Sequence, residues 1–200
     1  MSALAPGSVY ASLSATTAAT GLASPFTLSS SNLQQQTLTP NSNGVTVDGT
    51  NVQVCWQGST TCTTNSQFGW FANLPNTDEQ IIFNPVFYQG AFIVNSTVPA
   101  NNVATSCTSN LDTGYTYVLA VANGGVFTNT FPTYTKNGTV ITDAIEAGVQ
   151  TNATGSVYVV NTAQGQANLI YQTVSGTPGS QQPHIPSNTK AKRLTWIERR

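Results

Sequence analysis

Between Glu79 and Pro99 the chain reads EQIIFNPVFYQGAFIVNSTVP, its apolar residues held in short runs cut by Asn84-Pro85, Gln89-Gly90 and Pro99. A helix needs about ten or more residues at a period of 3.6, and a proline inside it removes a backbone donor and clashes with the preceding turn. Breaks this close exclude a helix. Extended segments tolerate them: Pro85 withdraws one ladder donor and so marks a strand edge or bend, while Gln-Gly suits a tight turn. The stretch is expected to form two consecutive inner strands, bent at Asn84-Pro85 and turned at Gln89-Gly90.

The same punctuation recurs along the chain. NLQQQTLTP and GVTVDGTNVQVCW alternate apolar and polar positions as half-buried strands do, and Asp48-Gly49 reads as a hairpin turn. YTYVLAVANGG is a strand ending in a turn, GTVITDAIEAGV suits either a strand or a strand followed by a helical turn, and GSVYVVN with NLIYQTV forms a hairpin across TAQGQA. KRLTWIER is the final strand candidate. About eight to ten strands, with turn signals at intervals of about 8 to 12 residues, point to an all-β sandwich, barrel or propeller. Residues 1–31, rich in Ala, Ser and Thr, read as an irregular lead-in, and residues 32–200 as the β segment.

Charge narrows the function. Only 6% of residues are charged, against about a quarter in an average soluble protein. Five of the six basic residues (Lys190, Lys192, Arg193, Arg199, Arg200) fall in the last eleven positions, so residues 1–189 hold six acids against Lys136, a net of −5. That distribution does not support a nucleic-acid surface, and the basic tail reads as a solvated or docking terminal strand. No span of membrane-crossing length is present in the sequence, and the first residues lack the basic and apolar regions of a signal peptide. An exported chain of this kind is expected to carry its signal on a longer precursor, of which this would be a fragment.

Cys55 and Cys62 flank WQGSTT, a turn-like stretch, and are the candidate disulfide, leaving Cys107 over. Their spacing does not suit zinc, and the one histidine, His184, lies in the loop QQPHIP. Asp78 and Glu79 are adjacent, which in a strand sends them to opposite faces, so they read as a solvated turn rather than an acid/base pair. A Cys107/His184/Asp triad is set aside because the histidine is in a proline-flanked loop. Nucleophile elbow, phosphate loop and dinucleotide fingerprint are all absent from the sequence. No catalytic, cofactor-binding or metal-binding residue is assigned, and the expectation is a non-enzymatic protein. Phe68, Trp70, Phe71, Tyr115 and Tyr117 read as core or cross-strand residues. The sharper alternative is a binding platform for a carbohydrate or a partner, with Trp56 and Trp70 as its first candidates. Asn95, Asn137 and Asn152 stand in N-x-S/T sequons, taken as incidental.

The order NLQQQTLT, VQVCW, GWFANLP, EQIIFNPVFYQGAFIVNSTVP, a Cys-containing loop, GYTYVLAV and KRLTWIE resembles the C-terminal end of PilY proteins, type IV pilus biogenesis factors and tip adhesins, from about Asn32 onward. The resemblance implies a modified β-propeller of which this chain would supply three to four blades, with a β-sandwich as the structural alternative. It implies an extracellular place at the pilus tip or outer-membrane surface, with minor pilins or the tip, and a host or abiotic surface, as partners. Open edges would then require upstream blades or self-association. The family's calcium-like loop corresponds to TYTKNGTVITDA, where Lys136 and Thr139 stand in place of acids and Asp143 is left alone. A hard cation needs six to eight oxygens, so calcium is expected only in a part upstream of this chain. The competing expectation is a structural β-rich surface or capsid-like protein unrelated to pili.

Overall fold

In the computed structural model the described residues are 8–11, 30–102, 109–131, 134–136, 139–141, 146–162 and 165–186. Fourteen strands run through them: β1 (Ser8–Ala11), β2 (Gln34–Gln36), β3 (Leu38–Pro40), β4 (Thr46–Gly49), β5 (Trp70–Asn73), β6 (Val86–Tyr88), β7 (Ala91–Asn95), β8 (Tyr115–Ala120), β9 (Tyr134–Lys136), β10 (Thr139–Ile141), β11 (Glu146–Gln150), β12 (Ala153–Asn161), β13 (Ala167–Thr173) and β14 (Pro178–Gln181). They assemble into a six-stranded sheet β3-β4-β11-β8-β7-β6, two three-stranded sheets, β1-β5-β2 and β12-β13-β14, and the β9-β10 pair. Pairing between these strands is antiparallel except at β2 and β5. The fold is all-β, and none of the sheets closes into a barrel among the described residues.

The six-stranded sheet lies between the other two large sheets. One of its faces carries Phe92, Val94, Tyr117 and Leu119 into a cluster with Trp70 and Ala72 of β5. The opposite face sends Ile93, Val118 and Val149 against Val157, Leu169 and Tyr171 of β12 and β13. A strand covered on both faces has no position for a polar side chain unless that group finds a partner, which is why β7 reads AFIVN and is buried throughout. Each fully buried aliphatic side chain contributes about 1.5–3 kcal/mol. The polar residues inside are bonded: Asn95 Nδ2 donates to Gly155 O at 2.8 Å, tying the central sheet to β12, while Thr116 Oγ1 donates to Asn95 Oδ1 at 2.8 Å.

Trp70 is the anchor of the first cluster. Its indole is fully buried, meets Phe92 edge-on at 6.1 Å and donates from Nε1 to Val121 O at 2.9 Å. The turn after β8 closes over it, and Gly124 is required there twice over: its φ is +71°, and a Cβ would stand 2.2 Å from the indole.

Several expectations need correction. Asp48-Gly49 is not a turn but the end of β4, paired with Thr39 and Leu38; the turn is Asn41–Gly44, where the Asn43 side chain accepts the backbone N–H groups of Val45 and Thr46. Gly49 serves packing instead, since a Cβ would stand 2.4 Å from Val126. NVQVCW forms no regular strand, because the chain there turns into the loop closed by Cys55 and Cys62. Of the two apolar runs after Glu79, only Ala91–Asn95 is an inner strand. Ile82 is 60% exposed and Phe87 65%, since β6 is a three-residue edge strand and the chain before it is irregular, with its bend at Phe83 rather than at Asn84-Pro85. The turn at Gln89-Gly90 is as expected, with φ of 46° and 82° at its two residues. Ser8–Ala11, inside the stretch read as an irregular lead-in, pairs with β5. The hairpin across TAQGQA forms as β12 and β13, while KRLTWIER lies outside the described residues.

Candidate binding face

Strands β12, β13 and β14 cover the central sheet with one face only. Ala153, Val157, Leu169 and Tyr171 point inward and are buried. Tyr171 lies over Gly179 of β14, where a Cβ would stand 2.4 Å from its ring, so this glycine lets the strands close on the aromatic. Burial raises the Tyr171 phenol pKa, against the opposing effect of its hydrogen bond with Gln181.

The alternation that buries these residues turns their neighbours outward. Tyr158 stands opposite Ile170, and Ile170 opposite Ser180; Val160 stands opposite Asn168, and Gln172 opposite Pro178. Tyr158 is 75% exposed, Val160 47% and Ile170 39%. The result is an apolar stripe edged by amides and hydroxyls. No Asp, Glu, Lys or Arg occurs from Ala147 to Thr189, so the strands of this face bring no charge of their own.

The other candidates take different places. Trp70 is core and presents no platform. Trp56 is half-buried against the same cluster and bridges to Gln67, beside the Cys55–Cys62 disulfide, which joins Cα atoms 5.6 Å apart. Phe68 and Phe71 are buried, as expected of core residues. Cys107, Asn137 and Asp143 lie outside the described residues. His184 donates its backbone N–H to Thr130 O at 2.7 Å. Asn95, in the first sequon, is buried.

Asp78 and Glu79 do not share a solvated turn. Asp78 is exposed at φ 59°, but Glu79 is only 3% exposed. Its Oε1 accepts from the hydroxyls of Tyr117, at 2.8 Å, and Ser96; its Oε2 accepts from Asn76 Nδ2 at 2.7 Å and Asn76 N at 3.2 Å. Four donors thus replace water around one carboxylate. Burial, and then the neighbouring Glu79 charge, hold the Tyr117 phenol well above its usual pKa, and the same two causes raise Tyr115. The arrangement is a clasp between the loop before β6 and the central strands, closed to solvent.

At the end of the central sheet an open cavity of about 560 Å³ is lined by Gln89, Gly90, Ala120, Val121, Phe127 and Pro186 among others. Its walls are largely aliphatic and aromatic, without a converging set of titratable groups. Among the described residues no cluster of three or more His, Cys, Asp or Glu is placed to hold a metal ion, and no helix is long and apolar enough to cross a membrane.

Sequence reasoning singled out tryptophans and missed Tyr158. The signal was present in GSVYVVN: once Val157 faces the core, Tyr158 and Val160 must face away from it.

No protein-family model matches the sequence, and no curated protein matches it. Among solved structures, the crystal structure of the Pseudomonas aeruginosa PilY1 C-terminal domain is similar to this chain with a TM-score of 0.52 at 18% sequence identity, over 78% of this chain and 32% of that one. The chain thus spans about a third of the length of the structure it matches. At this identity the likeness is one of fold alone: the all-β arrangement of this chain matches the β-rich PilY1 C-terminal domain.

Proposed function

We propose that this chain belongs to a non-enzymatic, PilY-like factor that works at the pilus tip or outer surface, in type IV pilus assembly and adhesion. The observation that carries this reading is the fold likeness to the PilY1 C-terminal domain, which agrees with the order of sequence segments from Asn32 onward. The Cys55–Cys62 disulfide supports an oxidising, extracytoplasmic place. Rigid stacked sheets with an uncharged outer face suit a protein that holds a partner rather than transforms one. Minor pilins or the pilus tip would be the assembly partners, and a host or abiotic surface the target of adhesion. Deleting the encoding gene is expected to reduce surface piliation and attachment, with both restored by the intact gene. Unchanged piliation and attachment in the deletion strain would overturn the proposal.

A further inference from the structure

We infer that the outer face of the β12-β13-β14 sheet is a platform for neutral saccharides, with Tyr158 as its stacking residue. The inference rests on the binding role above but not on the link to pili, so the two can fail separately. Among the described residues Tyr158 is the most exposed of the large hydrophobic side chains, at 75%, and it lies in register with Ile170 and Ser180. The C–H face of a pyranose ring is flat and weakly positive, and it stacks on the negative face of an aromatic ring. Its hydroxyls both donate and accept. Asn168 and Gln172, which share the outward face, carry a donor and an acceptor in each amide, and Ser180 adds a hydroxyl.

Charge selects among ligands. A phosphate-bearing or acidic polymer would need Lys or Arg on this face, and the strands from β12 to β14 have none. Size argues against a second copy of the chain. The outer face presents eight side chains in three rows, whereas a stable protein interface takes about 20–30 residues a side. A linear neutral oligosaccharide needs only a narrow apolar stripe with polar edges. The platform is also held rigid from behind by Val157, Leu169 and Tyr171.

The test uses the purified 200-residue chain and a panel of neutral hexasaccharides of glucose, mannose, galactose and N-acetylglucosamine, titrated calorimetrically, with amide chemical shifts recorded for the best binder. At least one hexasaccharide is expected to bind and to shift the amides of β12 and β13. Tyr158→Ala should weaken that binding about tenfold or more, as loss of one stacking ring does, and Trp56→Ala should leave it unchanged. Equal melting temperatures for Tyr158→Ala and the parent chain establish that the variant is folded; Tyr158→Ser serves if the first is not. Absence of binding across the panel, or binding indifferent to both Tyr158 variants, overturns the proposal. So does sedimentation as a dimer that either variant converts to a monomer, since the face would then belong to a second copy.

Discussion

The central sheet and the β12-β13-β14 sheet are built by the same chain with opposite patterns. In β7 all five residues are buried, and in β8 the first five are; in β13 the buried residues alternate, Ala167, Leu169 and Tyr171, with more exposed ones between. The first pattern is that of a strand covered on both sides, the second that of a strand with one wet face. Depth in the stack is therefore written in the spacing of apolar residues rather than in their number, and the outward half of the second pattern is where a ligand can reach the protein.

This contrast can be broken or sharpened by substitution, beginning with the largest effect. Trp70→Ala, at the centre of the doubly covered region, should cost about 4 kcal/mol in chemical denaturation; a loss below about 1 kcal/mol would mean that the first cluster is not a tight core. Leu169→Ala, on the inward face of the outer sheet, should cost about 3 kcal/mol. Replacing Cys55 and Cys62 by serine opens a short loop with a sequence separation of 7 and should cost about 2 kcal/mol. If the double variant melts with the parent, the loop is already ordered by Gln67 and Asn65, whose side chains accept from the Cys55 and Cys62 backbone N–H groups.

Tyr117→Phe removes one of the four donors to Glu79 and should cost about 1.5 kcal/mol at neutral pH. It should also change the alkaline limb. A phenol whose pKa is raised in the folded state contributes stability in full below its unfolded value, about 10, and loses it as pH rises toward the folded value. Stability of the parent chain should accordingly fall above pH ~10, and the fall should be shallower in Tyr117→Phe, with Tyr115 and Tyr171 accounting for what remains. Smallest of all, Tyr158→Ala should change stability by less than about 0.5 kcal/mol. A larger loss there would show that the exposed face is covered in solution.

How far the sequence was legible follows the same division. Period-two spacing exposed the β12-β13 hairpin, and the Gln89-Gly90 turn was legible because a two-residue hairpin demands positive φ. Asp48-Gly49 misled because glycine serves two ends: the same dipeptide that makes a turn also lets a strand lie against Val126. Glu79 was misread for want of its partners, since a carboxylate is solvated by default and only the fold brings Tyr117 and Ser96 to it across 38 and 17 residues. Trp70 is the core residue its strand-like surroundings suggested, not the platform of the alternative reading, and Tyr158 was passed over because aromatic type does not say which face is wet; only the neighbours' alternation does.

The join between β2 and β3 has a mechanical consequence. A single residue, Thr37, separates a strand of the β1-β5-β2 sheet from a strand of the central sheet. Its N–H donates to Thr50 Oγ1 at 2.9 Å and its carbonyl accepts from Thr50 N at 3.1 Å. Next to it the Gln36 amide is bonded on both atoms: Nε2 donates to Val52 O and Asn123 O, and Oε1 accepts from Thr50 Oγ1 and Val52 N. Tension applied to one layer thus passes to the next through one short, bonded length of main chain. The two layers would bear a load together, and separating them would require tearing the Gln36 anchorage before either sheet could slide.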